Sequence, residues 1–318
     1  WRKPVTEGAH RRRWAAVLIG AALGACAGWG VFALMRAPED APRREMARVV
    51  IADATQPVSG LVYMAQARGL FAEEGLDVTL LPHTTGKAAL AATLAGEADV
   101  ATVAETPLVF AALKGERFSI LATIATTERN IAVAARTDCG IECPEDLRGK
   151  RVGVAPGTNA EFFLETFLLT RRIRTNEVRI EALTPESIPQ ALADGRVEAA
   201  AVWHPHLGAV QRAMKERVRC FYDEQIYTWS WNLVSRRGWA ETNGDAAQRL
   251  LRALARAEEA AAAEPEAARG IVAARCGMDA HDLGEMWSSY HFRLTLGQWL
   301  ILSMESQAQW ARRKGAGG

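Results

Sequence analysis

From Arg48 onward, short apolar runs alternate with amphipathic segments. Arg48–Asp53, Leu76–Leu81, Val100–Val103 and Phe118–Ala125 are rich in Val, Ile, Leu and Ala, the composition and length of buried strands. Between them, Ser59–Gly69, Lys87–Leu94 and Pro107–Lys114 read as helices. Ser59 is a candidate cap, Gly69 and Gly96 are stops, and Pro107 fits a first turn. After Asn130 the alternation repeats, with strands at Ile131–Ala135, Arg151–Val154, Val178–Ala182 and Ala199–Val202 and helices at Asn159–Leu169 and Pro185–Ala193. Strands separated by helices predict an α/β fold with mixed, mostly parallel sheets flanked by helices. From Ala246 the chain reads as almost wholly helical, beginning with the Ala-rich stretch Ala246–Ala263.

Two βα sets followed by a helical tail predict two lobes. The tail returns to cover the first set, which makes that lobe discontinuous: residues 46–130 plus 233–318 form one lobe and 131–232 the other. Crossings between lobes fall near Asn130–Arg136 and Trp229–Ser235. Ligands in open α/β sheets bind outside the C-terminal strand ends, so two facing lobes enclose a cleft that closes by hinge motion.

The N-terminus follows a different pattern. Arg11, Arg12 and Arg13 precede an uncharged run, Trp14–Met35, of 22 residues. At about 1.5 Å per residue a helix of this length spans the hydrocarbon core of a bilayer. The basic flank predicts a cytoplasmic N-terminus, with everything that follows outside. Residues 36–44 are a polar, proline-bearing linker, so residues 1–45 read as signal or anchor and linker, apart from the fold. Two readings compete. Leu23-Gly24-Ala25-Cys26 resembles a lipobox and Ala25-Cys26-Ala27 suits signal cleavage, whereas the run stays apolar through Trp29, Val31 and Phe32, as an uncleaved anchor does. Both place the folded part in the periplasm or at the cell surface, tethered by residues 14–35 or by a lipidated Cys26.

Composition narrows the function. The 318 residues carry 38 basic against 37 acidic side chains and are 49% hydrophobic. That balance excludes a disordered chain and a nucleic-acid binder driven by bulk charge. Cys139 and Cys143, four apart in a loop, suit a small disulfide in an oxidising compartment or two surface thiols. No second Cys/His pair at zinc spacing follows. The sequence holds no G-x-S-x-G, H-E-x-x-H or G-x-x-x-x-G-K pattern, so no catalytic residue is nominated.

The loops that follow the strands carry the candidate binding chemistry: Thr55-Gln56-Pro57, Thr84-Thr85-Gly86, Glu105-Thr106-Pro107, Thr126-Thr127-Glu128-Arg129-Asn130 and Ala155-Pro156-Gly157-Thr158-Asn159. Gly permits close backbone approach, Thr and Asn offer short hydrogen-bonding groups, and helix starts attract anions. Thr158 or Asn159 can equally serve only as an N-cap. Glu105 either favours a cationic, amino- or hydroxyl-bearing ligand or caps its own helix. In Trp203-His204-Pro205-His206 the two His can ligate a metal, touch a ligand or merely close a turn. Tyr227, Trp229 and Trp231 alternate and share one face of an extended segment, either stacking on a planar ligand or filling the core.

From about Arg48 to Arg312 the chain resembles bacterial ABC-transporter solute-binding proteins of the nitrate/sulfonate/taurine type, within a thiamine-precursor-binding-like superfamily. The resemblance rests on residues 67–78 (ARGLFAEEGLDV), 94–100 (LAGEADV), 144–154 (PEDLRGKRVGV) and 192–200 (LADGRVEAA), with Leu296-Gly297-Gln298-Trp299 and residues 307–311 (QAQWA). It implies a two-lobed periplasmic-binding-protein fold of type II, capture of a small organic or anionic solute, and delivery to a permease with its ATPase. It implies no cofactor, metal, nucleic acid or catalysis, and a monomer is expected. The family's binding positions fall on Gln56, Thr85, Glu105, Thr106, Thr127, Thr158, Asn159, Trp203, His204, Trp229 and Trp231. His204 stands where the family often has Glu, and Glu105 where sulfonate binders often have a small residue. The same fold suits a membrane-anchored sensor as the alternative. The thiamine-pyrimidine-forming relatives require a cysteine-rich iron motif that this sequence lacks.

Overall fold

Where the sequence alternates, the backbone alternates. The structure, a computed structural model, describes residues 46–316; the apolar run 14–35 and Cys26 lie outside the described residues. Eleven strands appear in that range: β1 Ala47–Asp53, β2 Leu76–Pro82, β3 Val100–Ala104, β4 Phe118–Thr127, β5 Ile131–Arg136, β6 Arg151–Val154, β7 Arg179–Ala182, β8 Ala199–Trp203, β9 Val218–Phe221, β10 Trp229–Arg236 and β11 His291–Thr295. They form a six-stranded sheet, ordered β11-β4-β10-β3-β1-β2, and a five-stranded sheet, ordered β7-β6-β8-β5-β9.

Burial explains the strand sequences. β3 is central and wholly buried, and its Val-Ala-Thr-Val-Ala run is small and apolar throughout. β2 lies at an edge, so Leu76 and Val78 point inward while Asp77 and Thr79 face solvent. In register, Val49 opposes Val78 and Ile51 opposes Leu80 on one side and Val100 on the other.

Both sheets are mixed, and the expectation of mostly parallel sheets needs correcting. Four pairings are parallel (β1–β2, β1–β3, β6–β7, β6–β8) and five are antiparallel. The cause is topological. Each time the chain enters a sheet after a crossing, the entering strand inserts antiparallel between two strands of that sheet. β5 sits between β8 and β9, and β10 sits between β3 and β4. The chain leaves the six-stranded sheet after Thr127 and returns to it between Phe221 and Trp229.

The helical tail covers the first sheet. Helix Gly244–Ala263 packs on Gly60–Ala67 and Leu70–Glu73, and Pro265–Cys276 also meets Gly60–Ala67. Leu250, Ala253, Leu254 and Ala257 are fully buried there, spaced as one stripe of a helix. Helix Gln298–Arg313 packs against Glu105–Leu113. The tail is not all helix, because β11 adds an edge strand beside β4. Among the described residues no helix is long and apolar enough to cross a membrane. Of the two readings of Cys139 and Cys143, the structure carries free thiols, and Cys143 is exposed.

Candidate functional site

The strand-to-helix loops of both sheets meet at one cavity of about 360 Å³. From the six-stranded sheet come Ala54, Thr55 and Gln56 after β1, Thr84–Lys87 after β2, Ala104 and Pro107 after β3, and the indoles of Trp229 and Trp231 on β10. From the five-stranded sheet come Gly157, Thr158 and Asn159 after β6, Pro185 and Glu186 after β7, and Trp203, Pro205 and His206 after β8.

Helices begin at this cavity from both sides. Thr85 caps Gly86–Ala95, its Oγ1 accepting from the Ala88 N–H at 3.1 Å. Thr158 caps Asn159–Thr170, accepting from the Glu161 N–H at 3.4 Å while its hydroxyl donates to the Ala155 carbonyl at 2.6 Å. Both threonines therefore serve local structure, and what they present to the cavity is the start of a helix, where backbone N–H groups lack intrahelical partners and the dipole is positive. Helix His206–Met214 starts at the same cavity. Lys87, exposed in the first turn of its helix, adds a formal positive charge. Glu186 is the carboxylate among the lining residues and is exposed.

The indoles form the apolar wall. Trp231 is fully buried, and its Nε1 donates to Ser59 Oγ at 2.9 Å. Ser59 in turn donates to Asp53 Oδ1 at 2.8 Å. Asp53, fully buried, also accepts from Tyr63 Oη at 2.8 Å, Thr102 Oγ1 at 3.0 Å and the Thr55 N–H at 3.2 Å. Burial, with the Asp53 charge second, raises the Tyr63 pKa far above its ordinary value, so the phenol stays a donor. On its other side Trp231 lies against the start of helix Gly86–Ala95. A Cβ on Gly86 would sit 3.1 Å from Trp231 Cη2 and 3.1 Å from Val103 Cα. Trp229 packs on Trp231 with centroids 5.3 Å apart and planes tilted by 44°. Its Nε1 is buried with no hydrogen-bond partner, so packing alone holds this ring. Trp203 meets His206 edge-on at 5.9 Å.

Seven of the eleven candidates line the cavity: Gln56, Thr85, Thr158, Asn159, Trp203, Trp229 and Trp231. Glu105, Thr106, Thr127 and His204 are placed elsewhere. The Glu105 carboxylate is fully buried and accepts from Tyr227 Oη, the Ser230 N–H at 3.0 Å, Ser230 Oγ at 2.8 Å and Gln307 Nε2 at 3.0 Å. Burial raises its pKa, against the lowering effect of these donors. Thr106 Oγ1 donates to Gln307 Oε1 at 2.6 Å, and Thr127 Oγ1 accepts from the Arg129 N–H at 3.2 Å. The His204 imidazole is pushed down to about 4 by burial, with Arg212 adding to the shift, so it is neutral at pH 7. His206, two residues on, lines the cavity instead, and burial lowers its pKa more than Glu186 raises it. Among the described residues no group of three or more His, Cys, Asp or Glu is placed to hold a metal ion.

Sequence reasoning missed Lys87 and Glu186, and of the two His it named in Trp203–His206 it carried His204 rather than His206 into the site. Lys87 follows the quoted loop Thr84–Gly86 by one residue. Glu186 follows β7, the one strand of the second set whose loop was passed over. His206 begins a helix that the turn reading of His204–Pro205 did not extend.

Comparison with known proteins agrees with this arrangement. Over 218 residues the chain is 23% identical to a binding protein of Brucella abortus (strain 2308), spanning 68% of this chain and 67% of that one. It is 25% identical over 210 residues to the taurine-binding periplasmic protein of Escherichia coli (strain K12), spanning 64% and 63%. The crystal structure of the periplasmic aliphatic sulphonate binding protein SsuA from Escherichia coli superposes with a TM-score of 0.76 at 17% identity, over 86% of this chain and 94% of that one. That likeness identifies the periplasmic-binding-protein fold. Residues 56–268 match the profile described as NMT1/THI5 like, which is well over half of the sequence and takes in the cavity lining from Gln56 onward; the chain belongs to the NMT1/THI5-like family.

Proposed function

We propose that this protein is the extracytoplasmic solute-binding subunit of an ABC importer and that it takes a small organic anion into its interlobe cleft. The observation that carries this reading is the convergence on one cavity of helix starts from both sheets, joined by Lys87. Unpaired N–H groups and aligned dipoles from opposite walls favour negative charge there. Glu105, the residue that suggested a cationic ligand, is turned away from the cavity into a polar network of its own. The taurine-binding and sulphonate-binding relatives support the same class of ligand.

The lobes are residues 46–130 with the C-terminal part, and the segment from 131 to the return crossing, in type II order. The pairing of the return strand β10 with β3 and β4 supports counting it with the first lobe. The protein acts as a monomer, anchored by residues 14–35 or through a lipidated Cys26, and hands its solute to a permease with its ATPase. It binds and releases its solute without chemical change.

The test is a thermal-shift screen of the full chain against sulfonates, nitrate, carboxylates and amines. A ligand at about 100 times its Kd stabilises by about 2.7 kcal/mol, a rise of several degrees. An anion that raises Tm and is recovered unmodified is the expected result. Stabilisation by amines alone refutes the reading.

A further inference from the structure

We infer that the preferred solute is an aromatic acid, a planar ring bearing one anionic group, and that Trp203 and Trp231 select it over aliphatic anions. The inference rests on the anion-binding reading above and deepens it. The two sheets supply the indoles separately: Trp229 and Trp231 from β10, and Trp203 from the end of β8. An inorganic or one-carbon anion satisfies the helix starts and leaves the half-buried Trp203 ring, and the small edge that the buried Trp231 shows the cavity, without a partner. The cavity volume, about 360 Å³, lies in the range that encloses ring-sized organic molecules.

The geometry also fixes one ring in advance. Trp231 is held by its Nε1 bond to Ser59, and Ser59 is held by Asp53. Gly86 has no side chain that would push the indole away from the helix start. The aromatic wall and the anion-binding N–H groups of helix Gly86–Ala95 are therefore built against each other. A ligand that bridges them has its charge and its ring directly joined, as in an arylsulfonate or an aromatic carboxylate. A ring held in place before binding adds affinity without an ordering cost. Each ring–ring contact contributes a factor of roughly two to ten beyond the area buried, so two contacts predict a preference of about tenfold or more.

The experiment is calorimetric titration of the purified full-length protein with benzenesulfonate, cyclohexanesulfonate and methanesulfonate. Benzenesulfonate is expected to bind about tenfold or more tightly than either of the others. Trp203→Ala is expected to remove most of that ratio, and Trp203→Phe to retain it. If methanesulfonate or cyclohexanesulfonate binds as tightly as benzenesulfonate, the aromatic preference is overturned while anion binding stands. A ratio unchanged in Trp203→Ala overturns the role of that ring. Failure of all three sulfonates, and of benzoate beside them, to bind the folded protein overturns the anion reading and this inference with it.

Discussion

Glu105 offers the sharpest test of the packing logic. Its carboxylate is fully buried and serves Tyr227, Ser230 twice and Gln307. Glu105→Ala leaves these donors without their acceptor. A stranded buried donor costs about 1–3 kcal/mol, and the hydroxyls recover part of that by rotating, so the expected loss is about 3–5 kcal/mol. That is a large share of the roughly 5–15 kcal/mol by which domains are stable. Glu105→Gln keeps the volume and one acceptor, and it separates the effect of charge. Burial raises the native pKa of Glu105. As pH climbs past about 4.3 the unfolded carboxylate ionises first, and the native state holds the extra proton. Stability then falls with pH, because its slope follows protons bound unfolded minus protons bound native. The contribution of this group is complete below the ordinary carboxylate range and is lost as pH rises through the native value. The glutamine has no such slope, so the advantage of wild type over Glu105→Gln should shrink from pH 4 towards neutrality in urea unfolding. An advantage that grows with pH would refute the argument, since the four hydrogen bonds would then be holding the group charged.

Two further variants test the wall of the cleft. Ser59→Ala strands the buried Trp231 Nε1 and takes a donor from Asp53, and should cost about 2–3 kcal/mol in urea unfolding and weaken benzenesulfonate binding, with Ser59→Thr retaining both; unchanged stability in the alanine variant counts against the chain of bonds. Gly86→Ala puts a methyl 3.1 Å from both Trp231 Cη2 and Val103 Cα, and should cost about 1–3 kcal/mol and lower affinity by displacing the indole; crystals of a variant with Trp231 unmoved would contradict that.

The alternation of Val/Ile/Leu runs with helical spacing located β1 through β8, because these strands are apolar and their caps local. β10 escaped because its buried positions include Ser230, Asn232 and Ser235. A polar strand of this kind is tolerable only when its partners are present. Asn232 accepts from Thr123 Oγ1 at 2.7 Å and donates to the Val103 carbonyl at 3.4 Å, pairings between distant segments that no local pattern reveals. β11 is short and half-exposed at an edge, with too little alternation to read. The cavity loops were legible for a geometric reason: wherever a strand ends and a helix starts, the junction faces the same edge of its sheet. The direction of a side chain at such a junction was not. Glu105 and Thr106 occupy the same kind of position as Thr85, yet they turn to Gln307, some 200 residues away. The sequence separation hides the partner, and only the partner decides which way the carboxylate points.

That partner belongs to a helix that meets helices of both sheets. Helix Gln298–Arg313 bonds Glu105 and Thr106 through Gln307, and a turn later Trp310 Nε1 donates to Glu165 Oε2 at 2.9 Å on helix Asn159–Thr170. Lys314 adds contacts to Glu165 at 2.8 Å and Glu161 at 2.9 Å. The Trp310 ring meets Phe110 edge-on at 5.9 Å and Phe162 at 5.5 Å, and Phe162 meets Tyr227 at 5.4 Å in the return crossing. Helices Glu105–Leu113 and Asn159–Thr170 both begin at the cavity, one from each sheet. The C-terminal helix therefore joins two helices that begin at the cavity, one from each sheet, and the Glu105 network joins it to the crossing. Apolar contacts alone let two lobes slide against each other; directional hydrogen bonds to a buried carboxylate fix one register. Separating the two sheets here breaks the Trp310–Glu165 hydrogen bond and the half-exposed Lys314 pairs and parts the Phe162 and Trp310 rings, so the joint is held by packing together with partly solvated polar contacts.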